Sequence, residues 1–459
     1  MATPAKQPSL TQIGKEDLKR FVVQSALLCL IDPVRGEPTR SLLDENPDGD
    51  YTSGGQKLKQ KFLDAFALIC STSSSGAETA SAVCLEQHVP AGATLRVARN
   101  RGLATKDLAD LKTVLQILQA TARKERTWLQ AEAEILGVVV GLDRARICSL
   151  AEKLEKHGIK KFLQGAHSRL LAGRVKLEPS TVRELRLLLE RCPFQGPSPQ
   201  SWGPATLGVL ISWASQARWV YPGQLRLLLG LADTENPLWL DSLHKIARYH
   251  SSIKSMVKLA AKQPEVFLGI SIKAVQHSPP RQFSLSKEKA PLLSNIENLV
   301  KDDWEMTLEK LKRHLGTQDL EGRLRKTCHN LTLTLHAEMQ LVLFYEGNPN
   351  LTPRLKFMGT SKKACFHCHE YLSHHPLWLQ VSACHQKIYP SWMPPPFYAI
   401  HGKFQMNPPF VKVANKLEHL VKEELGGALN GTRRPKNYDS TAGPSLTKTA
   451  TATGPTVMG

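Results

Sequence analysis

The sequence predicts an α/β fold, with a mixed sheet flanked by helices and a large all-helical insertion or second domain. Strand-like segments occur at 79–87, 94–100 and 353–361, and amphipathic helices surround them. Residues 104–320 form a long run of predicted helices, with apolar residues spaced by three or four and breaks at Pro or Gly. A chain of 459 residues is longer than a domain with a single hydrophobic core usually is, so we expect two or three domains, or one domain with a large insertion.

Residues 1–54 are predicted to hold one helix and a loop. The segment "DLKRFVVQSALLCLI" at 17–31 is helical in pattern and ends at Asp32-Pro33. Its apolar part is too short to span a bilayer. The residues before it lack the apolar core of a signal peptide, which predicts a protein without membrane segments.

Residues 55–103 are predicted to form a helix followed by a hairpin. The helix "QKLKQKFLDAFALIC" at 56–70 is amphipathic because apolar side chains recur at every fourth position. The strand-like segments 79–87 and 94–100 are joined by "HVPAGA", a linker whose length and Pro and Gly residues suit a hairpin.

Residues 321–425 again mix strands and helices. The predicted elements are an extended-then-helical segment, a strand, a short helix and a longer helix, at 331–347, 353–361, 365–375 and 410–425. Residues 426–459 are rich in Gly, Thr, Ser and Pro and poor in apolar residues, which predicts a disordered tail.

The composition indicates a basic, intracellular protein. The formal net charge is +19, which favours a polyanionic partner such as nucleic acid or a nucleotide, although a basic soluble protein without such a partner has the same charge. The nine cysteines are odd in number and scattered, as in proteins that keep their thiols reduced in the cytoplasm or nucleus.

The stretch "KKACFHCH" contains a candidate metal site. Cys365 and Cys368 lie three positions apart, so both thiols can face one way on the first turn of a helix, where thiol pKa values are lowered. His336 and Glu338 of an upstream "HAE" complete the candidates, and sulfur with imidazole favours zinc.

Three other interpretations of this stretch stay open. The thiols could be close by chance. A closed structural site could recruit Cys328 or Cys384. His367 or His369 could also complete such a site, at the cost of strained local geometry.

An "HAE" that opens one helix, a strand, and a "CxxC" that opens the next helix resemble the zinc-dependent cytidine deaminase-like superfamily. The surrounding segments "FLDAFALICS", "LRVARNRG" and "HQKIYPSW" resemble its fungal branch of predicted nucleic-acid or nucleotide deaminases. The chain departs from the pattern at Ala364, where the superfamily usually has proline before the first cysteine.

The resemblance implies an open zinc site and a hydrolytic deaminase. His336, Cys365 and Cys368 would hold Zn²⁺ and leave a fourth position for water. Glu338 would move the water proton to the base, so that the amino group of cytosine or adenine, in a nucleotide or nucleic acid, leaves as ammonia. His336 and Glu338 share one site only where the helix begins, since positions i and i+2 of a regular helix diverge by about 200°.

The resemblance also implies a topology and substrate contacts. The helix and hairpin at 55–103 would be the first elements of the deaminase core, with 104–320 inserted before the metal motif. Asn100 would contact substrate, or would be only a turn residue. His385, Tyr389 and Trp392 of "HQKIYPSW" would line the pocket or cap the sheet. Two rival functions stay open, a catalytically inactive, zinc-stabilised interaction module and a helical scaffold with a structural zinc site.

Overall fold

The computed structural model describes residues 10–46, 55–74, 78–87, 92–173, 175, 177–231, 237–285, 290–398 and 407–426. The protein is α/β, as the sequence predicts, with a five-stranded mixed sheet between helical layers. The predicted tail lies outside the described residues apart from Gly426. Residues 88–91 of the predicted hairpin turn and 47–54 of the N-terminal loop lie outside them too.

The secondary structure follows the chain in this order. The strands are β1 Leu10–Thr11, β2 Ser81–Gln87, β3 Ala93–Arg99, β4 Ile270–Ala274, β5 Arg281–Phe283, β6 Leu331–Leu333, β7 Phe357–Thr360, β8 Gln380–Val381 and β9 Phe397–Tyr398. The helices are α1 Lys15–Ile31, α2 Gly55–Ile69, α3 Thr105–Ala122, α4 Trp128–Leu142, α5 Arg144–Lys156, α6 Ile159–Leu171, α7 Pro179–Glu190, α8 Pro204–Trp219, α9 Pro222–Leu229, α10 Leu238–Lys262, α11 Pro291–Val300, α12 Trp304–Leu315, α13 Leu320–Cys328, α14 Ala337–Gly347, α15 Phe366–Ser373 and α16 Pro408–Gly426.

The main sheet has the strand order β4-β3-β2-β7-β8. The hairpin β2–β3 is antiparallel, and β2 also pairs antiparallel with β7, placing Ala82 opposite Thr360 and Val83 opposite Gly359. Strands β4 and β8 extend the sheet in parallel at its two edges. The sheet therefore joins strands that precede the helical region to strands that follow it.

The two faces of the sheet bury different sets of side chains because successive residues of a strand point to opposite faces. Val83 and Leu85 pack with α2 and with the helices that follow β3. Ala82 and Cys84 pack with α1, α14, α15 and α16. Helix α14 lies across β2 and β3 on this second face. This placement sets the position of the candidate metal residue His336, which lies at the start of α14.

The helical region is built around the long helix α10, which contacts α2, α3, α4, α5 and α8. The prediction that 104–320 is all helical was wrong at β4 and β5, which interrupt the helices. In β4 the buried Ile270 and Ile272 alternate with exposed residues, but a five-residue alternation directly after helices is too short to stand out. Among the described residues, no helix is long and apolar enough to cross a membrane.

Helix α2 is held tightly against β7. A Cβ added at Gly359 would lie 2.1 Å from the backbone carbonyl carbon of Leu63, so only glycine allows this approach. One residue later, the backbone N–H of Thr360 donates to Oδ1 of the buried Asp64 at 2.9 Å. These contacts fix the strand that leads into the cysteine motif.

Candidate metal centre and adjoining cavity

His336 and Glu338 share one cavity because helix α14 begins between them. His336 occupies the N-cap position with an extended backbone (φ −65°, ψ 153°), and the helix starts at Ala337. The divergence of about 200° expected within a regular helix therefore does not apply. Both side chains line a cavity of about 400 Å³.

Asn100 fixes the backbone at the start of α14. Its Oδ1 accepts a hydrogen bond from the backbone N–H of Ala337 at 2.8 Å, which satisfies one of the unpaired donors at a helix N-terminus. Gln340 supports the same junction, since its Nε2 donates to the carbonyl oxygen of Leu335 at 2.9 Å and to that of Asn100 at 3.4 Å. Motif spacing did not reveal Gln340, whose partners are backbone atoms. Asn100 also lines the cavity, as its predicted substrate role requires.

Cys365 and Cys368 lie on the first turn of α15. Cys365 is the N-cap residue, and the backbone N–H of Cys368 donates to its Sγ at 3.4 Å. The ligand atoms of His336, Cys365 and Cys368 all lie within 4.8 Å of one another. Nδ1 of His336 is 3.6 Å from Sγ of Cys365 and 3.4 Å from Sγ of Cys368.

These separations fit a zinc ion. With Zn–S bonds of about 2.3 Å and Zn–N bonds of about 2.0 Å, a tetrahedral ion holds sulfur and nitrogen ligands about 3.5 Å apart. One imidazole and two thiolates form a donor set suited to zinc. Within the described part of the chain, this cluster includes neither Cys328 nor Cys384, and Sγ of Cys384 instead accepts from the backbone N–H of Gln386 at 3.3 Å.

The charges of the donor side chains are interdependent. Burial acts to raise the pKa of Cys365, but its contacts with Cys368 and His336 hold that pKa well below the usual value for a thiol. Burial and the neighbouring Cys365 raise the pKa of Cys368 well above its usual value. Thiolates rather than thiols bind metal ions, so binding a divalent cation to both sulfurs would release any proton that they still carry.

Glu338 is buried beside this cluster, with 9% of its surface exposed. Burial raises the pKa of its carboxyl group, and the positive charge of His336 opposes the rise. A carboxyl group with a raised pKa can both accept and return a proton near neutral pH.

Trp392 and His367 form a buried wall behind the sulfur atoms. Nε1 of Trp392 donates to Sγ of Cys368 at 3.3 Å, and its ring centroid lies 5.2 Å from that of His367. Nε2 of His367 lies 3.3 Å from Oγ of Ser25. Trp392 is fully buried and does not line the cavity, so its placement supports the metal cluster rather than the predicted substrate contact.

His385 and Tyr389 do line the cavity. The Tyr389 ring stands edge-on to His336, at 6.3 Å between centroids, and to His385, at 5.7 Å. Burial lowers the pKa of His385 to about 4, so its imidazole is neutral near pH 7. Its Nδ1 accepts from the backbone N–H of Lys387 at 3.0 Å, which leaves Nε2 as the N–H donor.

Basic side chains outnumber acidic ones along the walls of the cavity. Its remaining walls come from the loop after β3, from α5 and α10, and from the loop before Cys365. The charged side chains that line it, besides Glu338, are Glu78, Arg101, Arg146, Lys153, Lys245, Lys362 and Lys363. Three of these cations come from the helical region, a contribution that the metal motif did not predict.

The structure explains the departure at Ala364. The backbone N–H of Ala364 donates to the carbonyl oxygen of Ala383 at 2.8 Å, and the backbone N–H of His385 donates to the carbonyl oxygen of Ala364 at 3.0 Å. Proline has no N–H and could not make the first bond. The loop before Cys365 is therefore held by a hydrogen bond in this chain.

Residues 335–396 match the family model described as OTT_1508_deam-like deaminase. That segment contains α14, β7, α15 and all three metal-donor residues, but it is a small part of the 459-residue chain. No curated protein and no solved structure shows a significant match to this chain. The protein is thus similar to a deaminase family over the segment that forms the candidate metal centre.

Proposed function

We propose that this protein is a zinc-dependent hydrolytic deaminase that acts on cytosine or adenine in a nucleotide or a nucleic acid. The observation that carries the proposal is the convergence of His336, Cys365 and Cys368 beside Glu338 in one cavity. The deaminase family match over the same segment supports it.

His336 Nδ1 and the two cysteine sulfurs would hold the zinc ion. When bound, zinc acts as a Lewis acid that lowers the pKa of water to about 7. Trp392 would stabilise the negative charge on Cys368 through its Nε1–H donor. Asn100 would keep His336 and Glu338 facing the same point by holding the N–H of Ala337.

Glu338 would carry the proton in the reaction. Hydrolysis adds water across the C=N bond of the base's amidine group. The C–N bond to the exocyclic amino group then breaks, which yields a carbonyl and ammonia. Glu338 would accept one proton of the attacking water and deliver it to the ring nitrogen, and would then move the remaining hydroxyl proton to the departing amine as the carbonyl forms. Its burial and raised pKa support both halves of this transfer.

Asn100, His385 and Tyr389 would contact the base or its sugar. Neutral His385 offers an Nε2–H donor, and Tyr389 offers an aromatic face together with a hydroxyl group. The preponderance of Lys and Arg around the cavity supports a phosphate-bearing substrate, such as a nucleotide or nucleic acid.

The proposal extends to domain organisation and location. We assign 55–103 and 321–425 to one deaminase-type core, with 104–320 as an insertion, because strands from both segments share a sheet. From the resemblance of its motifs, we propose that the chain is a member of the fungal branch of predicted nucleic-acid or nucleotide deaminases. The nine free cysteines support a reducing location, in the cytoplasm or nucleus.

Replacing the proton carrier tests the function. The wild type, Glu338→Gln and the exposed control Glu305→Gln are expressed in a deaminase-sensitive reporter strain, and its DNA and RNA are sequenced. The purified proteins are assayed for ammonia release from free nucleotides. We expect Glu338→Gln to lose about 10²–10⁴-fold in rate while keeping its zinc, and Glu305→Gln to match the wild type.

Two outcomes would refute parts of this proposal. Full activity of Glu338→Gln would exclude the proton-transfer role. Stoichiometric zinc without activity of the wild type on any cytosine or adenine substrate would instead identify a non-catalytic, zinc-stabilised module.

A further inference from the structure

We infer that the helical region supplies a phosphate-binding subsite to the catalytic cavity, formed by Arg146 of α5 and Lys245 of α10 together with Lys362. The subsite would bind the phosphate group of a nucleotide or polynucleotide whose base reaches Glu338. This inference rests on the proposed function and specifies its substrate as phosphorylated.

The three cations lie where two cavities meet. Arg146, Lys245 and Lys362 line the cavity of about 400 Å³ that contains His336 and Glu338. The same three residues line a second, smaller cavity of about 30 Å³. Shared walls place the smaller cavity beside the one that contains His336 and Glu338.

The smaller cavity has the size and chemistry of an anion site. One water needs about 10–15 Å³, so 30 Å³ accommodates two or three oxygen atoms, which suits the free oxygens of a phosphate group. Among the described residues that line it, none is acidic. Its polar walls include Arg248 and the hydroxyl-bearing residues Ser71, Tyr249 and Ser361.

Neighbouring groups hold three of the cations that line the smaller cavity, Arg146, Lys245 and Arg248. Nη1 of Arg146 donates to the carbonyl oxygen of Ser74 at 2.9 Å. Arg248 is buried and paired with Asp44, and Lys245 is paired with Asp241. A cation held in place loses less conformational freedom when it binds an anion, which favours phosphate recognition.

One further acidic group lies near Arg146. Asp143 is fully buried at the start of α5 and interacts electrostatically with Arg146. Burial raises the pKa of Asp143 well above its usual value, and the positive charge of Arg146 opposes that rise.

The helical region would therefore take part in substrate selection. Arg146 and Lys245 are separated in sequence from the metal residues, and only the packing of α5 and α10 brings them to the cavity. A free nucleoside would occupy the base site alone. A phosphorylated substrate would also occupy the subsite, so nucleotide binding should depend on these cations and nucleoside binding should not.

Binding measurements compare nucleosides with the corresponding nucleotides. The zinc-loaded, full-length Glu338→Gln protein, which prevents turnover, is titrated calorimetrically with cytidine, CMP, adenosine and AMP. Arg146→Met and Lys362→Met are introduced separately in this background. Lys156→Met serves as the control because Lys156 is exposed on α5 and lines neither cavity. Thermal unfolding of each variant verifies that it is folded.

We expect one base to bind more tightly as its monophosphate than as its nucleoside. Arg146→Met and Lys362→Met should each weaken binding of that nucleotide by about 10- to 100-fold, the range for a lost charge-assisted hydrogen bond, and leave nucleoside binding unchanged. Lys156→Met should bind like its parent. Equal binding of nucleotide and nucleoside, or unchanged nucleotide affinity in both folded variants, would overturn the inference.

Further measurements show whether a mononucleotide or a polynucleotide supplies the phosphate. They also separate failure of the subsite from failure of the proposed function. If a polynucleotide supplies it, a single-stranded oligonucleotide should bind more tightly than the mononucleotide, and Arg146→Met should reduce the salt slope of log K by about 0.7. Wild-type deamination of nucleosides as fast as nucleotides would refute the subsite and leave the proposed function intact. Cation-dependent nucleotide binding without any deamination would support the subsite and refute the proposed function.

Discussion

Replacing Ala364 with proline tests whether the loop before Cys365 depends on a hydrogen bond. The superfamily pattern that this motif resembles has proline at this position, so Ala364→Pro introduces the residue of that pattern. In this structure the backbone N–H of Ala364 donates to the carbonyl oxygen of Ala383 at 2.8 Å, and both residues are buried. The substitution removes the donor and leaves a buried carbonyl oxygen without that partner.

Whether Ala364→Pro lowers or raises the stability of the protein shows whether the N–H at this position makes a hydrogen bond. A lost hydrogen bond that leaves a buried group unsatisfied costs about 1–3 kcal/mol. Where the N–H has no partner and the backbone suits proline, the same substitution stabilises a protein by about 0.4–1 kcal/mol, because it restricts the unfolded chain. We therefore expect Ala364→Pro to destabilise this protein despite its agreement with the superfamily pattern.

Urea unfolding of the zinc-loaded protein, followed by tryptophan fluorescence, measures the change. Ala364→Gly is the matched control, since it keeps the N–H and loses only the methyl group and some backbone restriction, at a cost of about 1 kcal/mol. The unfolding midpoint should fall further for the proline variant than for the glycine variant. A proline variant as stable as the wild type would refute the assigned role of the hydrogen bond.

Three further substitutions probe the packing and the metal cluster. Gly359→Ala would place a Cβ 2.1 Å from the backbone of Leu63, so we expect a loss of about 3 kcal/mol or more, and an unchanged melting temperature would contradict this close approach. Trp392→Phe removes the donor to Cys368, which should weaken zinc binding by about tenfold in a chelator competition; unchanged affinity would exclude the contact. Burial raises the pKa of Asp64 from 3.8 to about 7, so the folded state holds a proton that the unfolded state has released, and stability should fall as pH rises from about 4 to 7. Asp64→Asn should flatten that dependence, and an equally steep one in the variant would assign it to other groups.

The sequence predicted the elements whose signals are local. The fourfold spacing of Leu58, Phe62 and Phe66 predicted α2, and strand-like segments predicted the hairpin β2–β3. The grouping of His336, Cys365 and Cys368 was also predicted, through the family resemblance of the "HAE" and "CxxC" motifs, each of which lies at the start of a helix.

The remaining features depend on contacts between distant segments. No spacing rule connects Asn100 to the N–H of Ala337, and no motif connects Arg146 to the cavity of Glu338. Trp392 belongs to a segment predicted to line the pocket or cap the sheet, but its position behind Cys368 follows from how that segment folds. Strand β4 was missed because its five residues derive their stability from pairing with β3.

The coordination of zinc tests the central claim most directly. X-ray absorption at the zinc edge of the purified protein reports the number, type and distance of the ligands. We predict one zinc per chain with two sulfur ligands at about 2.3 Å and two nitrogen or oxygen ligands at about 2.0 Å, one of them exchangeable. Three or four sulfur ligands, or a folded protein that binds no zinc, would contradict an open site formed by His336, Cys365 and Cys368.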